Sequence, residues 1–205
     1  MTTIDPQRED RLRQGFKKYL NPGMLLLWRL GLGSWLNAWP DIGGRIMVIT
    51  HTGRKTGRRR RTPVNYATVD GEVYCTAAFG GVSDWYRNVR AHPEIQVWLP
   101  DGWWAGVVEE VPESDAQWLT LMRQVLIGSG IVAPLFGVHP KRSSDEELRE
   151  ITAGYRLLHI RRTEARTGRD GPGDLAWVWP MATLILVPLV FWRRCPASRG
   201  ARTRR

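Results

Sequence analysis

The chain has 205 residues and a formal charge of +10, a length that suits one core plus tails; with no internal repeat of roughly 20 to 50 residues, a solenoid is excluded. The basicity is local: six arginines and no acid occupy the last 13 residues, Arg54, Lys55, Arg58, Arg59, Arg60 and Arg61 supply six more cations within eight residues, and the remainder sums to about −2. Such clustering points to specific anionic partners and argues against a surface that coats nucleic acid.

Two cysteines, Cys75 and Cys195, make neither a disulfide framework nor a zinc pattern. His51, His92, His139 and His159 are scattered without ligand spacing, so no metal is expected and each histidine reads as structural or superficial. Residues 7–20 are charged throughout and lack the apolar run of a signal peptide, which leads us to expect a cytoplasmic location.

In chain order, residues 7–20 predict a basic amphipathic helix ended by Asn21-Pro22-Gly23. Met24 to Trp39 is apolar enough to lie on the core or on a bilayer surface. From Arg45 the pattern turns β-rich, with strands expected at Arg45 to His51, Thr62 to Val69, Glu72 to Phe79, Glu94 to Leu99, Trp103 to Val111 and Tyr155 to Arg161, a number that suits a barrel. Asp70-Gly71 and Asp101-Gly102 predict hairpin turns, because such dipeptides tolerate the positive φ that matches strand twist. Helices are expected at Ser83 to Ala91, at Ser114 to Ile127, and from Ser144, where Glu147 completes a capping box.

The domain plan is therefore helices over residues 1–40, a barrel over 41–162, a Gly-rich linker over 163–174, an apolar segment over 175–192 and a basic tail over 193–205. Leu175 to Trp192 carries no charge, spans about 27 Å if helical and has tryptophans at both ends, which favours membrane contact over packing on the chain's own core. The arginine tail adds attraction to anionic lipid, so the inner face of the membrane is the expected location.

The segment Gly53 to Pro63 is the most informative. Glycines at 53 and 57 allow a tight turn with exposed amides, and the surrounding cations suit phosphate or a string of carboxylates. The order of Gly, Lys and Ser/Thr is not that of a P-loop. Neighbouring strands add no basic face, and Tyr66 and Tyr74 are the only aromatics from Thr62 to Tyr74, so nucleic acid is not expected.

That segment, followed by Gly80-Gly81, Asp84-Trp85-Tyr86-Arg87-Asn88, Ala91, Pro93 and Val97, resembles the deazaflavin-dependent nitroreductase and quinone reductase family. The resemblance is strong from about Asn21 to Val111, weaker to Arg161, and does not extend over Leu175 to Arg205. It implies a mainly β fold with flanking helices, a six-stranded antiparallel split β-barrel of the flavin-reductase/pyridoxamine-oxidase type. The implied cofactor is coenzyme F-420, an 8-hydroxy-5-deazaflavin with a phosphodiester and an oligoglutamate tail.

By position, Arg54, Lys55, Thr56 and Arg60 inherit contacts to that phosphate and tail. Gly57, Thr62, Pro63, Gly80, Gly81, Trp85, Tyr86 and Asn88 complete the expected cofactor site. Arg58, Arg59 and Arg61 are extra charges that could serve the tail or lipid. The family's tyrosine-rich substrate region is replaced by Ile127 to Pro140, so no proton donor is assigned, with Tyr66 and Tyr155 as candidates and no catalytic side chain named.

The implied activity is hydride transfer to a lipophilic acceptor: a quinone, a nitro compound or an unsaturated lipid. A homodimer is common among such barrels. Two alternatives remain open. One is a non-catalytic anion-binding module held on lipid or nucleic acid; the other is the same barrel carrying flavin mononucleotide (FMN) or haem.

Overall fold

A computed structural model of the chain describes residue 15 and residues 20–194. Six strands, β1 (Ile46–Thr52), β2 (Arg59–Val69), β3 (Glu72–Ala77), β4 (Glu94–Leu99), β5 (Gly102–Val111) and β6 (Arg156–Ala165), close into a barrel in the order β1-β2-β3-β6-β5-β4. Every pairing is antiparallel. Closure leaves no unpaired sheet edge, and alternate residues of each strand point inward. Met47, Ile49, Cys75, Val97, Leu158 and Ile160 form the fully buried interior.

A second core lies outside the barrel. Helix α5 (Trp118–Gly128) sets Leu121, Met122 and Val125 against β2 and β3, and α7 (Asp145–Thr152) closes over them with Leu148. Ser144 caps α7 as expected, its hydroxyl accepting from the Glu147 amide at 3.2 Å. Between them runs the single turn α6 (Val132–Leu135). Helix α4 (Asp84–Ala91) follows β3 and a 3-10 turn at Gly80–Val82; Ser83 is its N-cap residue but makes no side-chain cap bond.

Several boundaries differ from expectation for local reasons. The helix expected over residues 7–20 falls, apart from residues 15 and 20, outside the described residues. Asn21-Pro22 opens α1 (Asn21–Arg29) and does not end a helix, because proline in a first turn gives up an amide that has no partner there anyway. Two single turns follow, α2 (Gly33–Leu36) within the expected apolar stretch and α3 (Pro40–Gly43) just beyond it.

Asp70 and Gly71 form the predicted turn with φ of 52° and 82°. At the other hairpin Leu99 pairs with Gly102, so Pro100-Asp101 makes the turn and Gly102 already belongs to β5. Strand β2 starts at Arg59, three residues earlier than its apolar pattern suggests, since Arg59, Arg60 and Arg61 pair with Thr52, His51 and Thr50.

The expected linker is not free. β6 runs on to Ala165, and the chain beyond it docks: the Arg166 amide donates to Trp103 O, Gly173 to Trp28 O and Leu175 to Arg29 O, while Arg29 pairs with Asp174 at 2.9 Å. This strap delivers α8 (Val178–Arg194) to the surface, where the Trp179 indole N–H donates to Leu30 O at 2.9 Å. Among the described residues no helix is long and apolar enough to cross a membrane.

Candidate cofactor site

The β1–β2 connection is a compact knuckle. Gly53 N–H donates to Arg58 O at 2.9 Å, and the Thr56 and Gly57 amides both donate to Gly53 O, at 3.1 and 2.8 Å. Gly57 sits at φ 64°, and a Cβ on Gly53 would come within 3.1 Å of the Arg60 Nε and Thr56 Oγ1. The amides expected to face an anion are thus largely spent within the turn, and side chains carry the positive field.

Those side chains divide into two groups. Arg54 is tied to α4: its amide and Nη1 donate to Asn88 Oδ1 at 3.1 and 3.0 Å, and Nη2 reaches Asp84 Oδ1 at 3.2 Å. Arg59 donates to Gln96, and Arg61 lies 4.7 Å over the Trp98 ring while donating to Asp170 O. Among the described residues, Lys55, Arg58 and Arg60 make no ion pair, and Lys55, Arg58 and Arg60 are exposed.

Beside this knuckle opens a cleft of about 680 Å³. Its basic rim is Arg60, Arg61, Thr62 and Pro63 of β2 with His51 of β1; its far wall is apolar, from Val125, Leu126, Val132, Ala133 and Phe136. Trp85 and Asn88 of α4 and Asn21, Pro22 and Leu25 of α1 complete the enclosure. Volume and lining suit a planar organic ring, and the three uncommitted cations suit a polyanion joined to it. The residues present therefore fit the deazaflavin coenzyme that the sequence resemblance implies.

Of the expected site residues, Thr62, Pro63, Trp85, Asn88 and Arg60 are brought together at the cleft. Lys55, Thr56 and Gly57 lie on the knuckle and do not line the cleft, and Arg54 is joined to it through Asn88. Tyr86 faces elsewhere: its ring is buried in the barrel core and its hydroxyl donates to Glu110 at 2.8 Å. Gly80 is buried with φ 47°, and a Cβ there would lie 2.3 Å from Gly154 O, so close packing against that turn accounts for the glycine. Gly81 is exposed, and its carbonyl accepts from Arg87.

Of the two tyrosines considered as proton donors, Tyr66 is buried in the barrel interior with its pKa raised by burial, whereas Tyr155 lines the cleft. The sequence marks His51 as structural or superficial; the structure puts it at the cleft, 3 % exposed, as the penultimate residue of β1 before the knuckle. Its position directly ahead of the glycine-flanked basic segment was the available signal.

Burial, and then the Arg60 charge, pushes the His51 pKa down to about 4. An unfolded chain takes up that proton near pH 6.5, while the folded chain refuses it until about pH 4. Stability is therefore complete above pH 6.5 and falls as pH drops through this window, by about 3 kcal/mol at pH 4. Urea midpoints measured from pH 7 to 4 should show this fall, and His51→Gln should remove that portion of the slope.

Solved structures similar to this chain include HutZ, the haem storage protein of Vibrio cholerae (8% identity, 64% of this chain and 87% of that one, TM-score 0.42). They also include an F420-H2 dependent reductase, FDR-A (22%, 57% and 93%, TM-score 0.40), and a conserved hypothetical protein of Mycobacterium tuberculosis (19%, 67% and 79%, TM-score 0.41). The family model that matches, F420-H(2)-dependent quinone reductase, covers residues 33–129, which run from α2 through the knuckle, the cleft rim and α4 to the end of α5. Over those residues the chain is similar to the F420-H(2)-dependent quinone reductase family.

Proposed function

We propose that the chain holds reduced coenzyme F-420 in the cleft, its anionic side chain on Lys55, Arg58 and Arg60, and reduces a lipophilic quinone there. The observation that carries this reading is an apolar cleft of ring-accepting size whose rim includes Arg60, on the strand that leads out of the knuckle bearing the other two uncommitted cations. When bound, the coenzyme would supply a hydride to the acceptor. The protein's part is positional: cations fix the charged end, Trp85 and Pro63 frame the ring, and the α5–α6 wall keeps water from the acceptor.

No nucleophile is needed for such a transfer. Cys75 suits none, being fully buried with its thiol pushed up to about 12 by desolvation. The decisive experiment mixes the full chain, reduced coenzyme F-420 and a water-soluble quinone. Oxidation of the coenzyme in step with quinone loss supports the reading; binding of simple polyanions without any turnover would leave a non-catalytic anion-binding module in its place.

The acceptor is met, in this reading, at an anionic membrane surface. On α8 the consecutive residues Leu184, Ile185, Leu186 and Val187 are 45 to 68 % exposed, so this stretch is apolar all round and open among the described residues. Trp177 and Trp179 stand exposed at its start, and no acid follows Asp174 while six arginines close the chain. A helix of 17 residues, about 26 Å, would lie in the interface plane with the arginines among the headgroups. Helix α1 touches both the cleft, through Leu25, and α8, through Leu30 O and Trp179.

The full chain should float with vesicles containing anionic phospholipid and not with purely zwitterionic ones. Leu184→Glu with Leu186→Glu should abolish flotation. Absence of flotation on any vesicle, with those substitutions instead dissolving a dimer, would reassign the helix to self-association.

A further inference from the structure

We infer that Arg54, Asn88 and His51 form a directed chain of hydrogen bonds that occupies one lone pair of the Thr62 hydroxyl and leaves its hydrogen to be donated, toward the cleft, to an acceptor oxygen or nitrogen of the bound ligand. The direction follows from what each group can do. Arg54 presents two donors, its amide and Nη1, to one atom of Asn88, at 3.1 and 3.0 Å. A guanidinium and a backbone N–H only donate, so that atom is the amide oxygen and the Asn88 nitrogen points the other way.

That nitrogen lies 3.3 Å from His51 Nδ1. It carries hydrogens only, so Nδ1 must offer its lone pair, and the single proton of a neutral imidazole resides on Nε2. Nε2 is 3.1 Å from Thr62 Oγ1, which therefore accepts from it. The hydroxyl's own hydrogen is then free for a second partner. Thr62 lines the cleft, and among the described residues its oxygen makes no other hydrogen bond.

Burial preserves the arrangement. His51 and Asn88 are 3 % and 4 % exposed, so bulk water does not compete for the chain. Burial first, and then the Arg60 charge, opposes the doubly protonated ring, which would present two donors and clash with the Asn88 amide hydrogens. A hydroxyl donor left unmatched once a ligand displaces water from the cleft is unfavourable, so the complementary ligand carries a carbonyl, a ring nitrogen or a phosphoryl oxygen at that point. With the coenzyme proposed above as ligand, on which this last step rests, the ring carbonyls qualify. His51 and Asn88 are positioning residues, and Thr62 makes the contact.

Two measurements on the full chain test this. In protein labelled with 15N-histidine and free of ligand, His51 should show a protonated Nε2 and an unprotonated Nδ1, unchanged from about pH 7 to 5. A protonated Nδ1 in that range would overturn the inference. In titrations with coenzyme F-420, Thr62→Val should raise Kd about tenfold and Thr62→Ser should restore it to within about threefold, a rescue that side-chain packing alone would not give. Equal Kd for Thr62→Val and wild type would also overturn it. If wild type binds no coenzyme F-420 at all, the proposed function falls, and the ligand-free tautomer alone then decides the hydrogen-bond chain.

Discussion

Lys55→Ala and Arg60→Ala should each raise the Kd for coenzyme F-420 about ten- to hundredfold, the double substitution should exceed either, and Arg161→Ala should change nothing. Charge-assisted hydrogen bonds contribute roughly 1.5–3 kcal/mol, and tenfold in Kd corresponds to about 1.4 kcal/mol. Lys55 and Arg60 are chosen because the fold leaves them uncommitted, whereas Arg161 sits on β6 with its guanidinium on Glu109. Arg54→Ala should weaken binding as well, by a different route: it takes the guanidinium from Asn88, leaves only the backbone amide on its oxygen, and so loosens the orientation of His51 and Thr62.

Salt separates the two routes. Raising ionic strength from about 0.05 to 0.5 M shortens the screening length several-fold. Wild type should lose affinity steeply across that range, the Lys55→Ala/Arg60→Ala chain only weakly, and Arg54→Ala should keep most of the wild-type slope. Binding that is insensitive to both Lys55 and Arg60 would remove the polyanion site from the knuckle altogether.

Much of this was legible beforehand. Period-two runs and Asp-Gly turns marked six strands, and β4 falls where its pattern put it, from Glu94 to Leu99. Order around the barrel was not legible, because closure depends on β3 pairing with β6 and β1 with β4, contacts with no local signature. β2 was misjudged at Arg59 to Arg61 for a related reason: exposed charged residues read as loop, yet main-chain pairing with β1 holds them extended.

At the site, residue types in the knuckle gave its chemistry, but which cations stay free depended on distant partners. Asp170 is 109 residues from Arg61, and Asn88 is 34 from Arg54. His51 was missed because one histidine in a strand is normally inert; its role arises only when Asn88 and Thr62 converge on its two nitrogens. Likewise residues 163–174 had the composition of a linker, and it was their backbone bonds to Trp28, Arg29 and Trp103 that made them a strap.

The strap's attachment turns on Trp28, and its removal should give the largest loss of stability in the molecule. The indole is 2 % exposed, 6.4 Å from the Trp98 ring, and lies so close on Gly33 that a Cβ there would be 2.2 Å away. Truncating a buried tryptophan costs about 3–5 kcal/mol, which for a chain of this length lowers Tm on the order of 10 °C. Asp174→Ala, which removes the Arg29 ion pair beside it, should cost about 1 kcal/mol or less, since that pair is partly exposed at 36% and 17%.

Trp28→Phe should retain most of the stability. Among the described residues the indole N–H has no acceptor, so phenylalanine keeps the larger part of the packing and removes a buried unmatched donor. Gly33→Ala should fall between the two by forcing the ring outward. The same ring carries α1, whose Leu25 reaches the cleft and whose Trp28 and Arg29 carbonyls receive the strap, so Trp28→Ala should also weaken coenzyme binding at temperatures where the barrel is still folded. Equal melting of Trp28→Ala and Asp174→Ala would show that the ion pair, and not the tryptophan packing, holds α1 and the strap to the barrel.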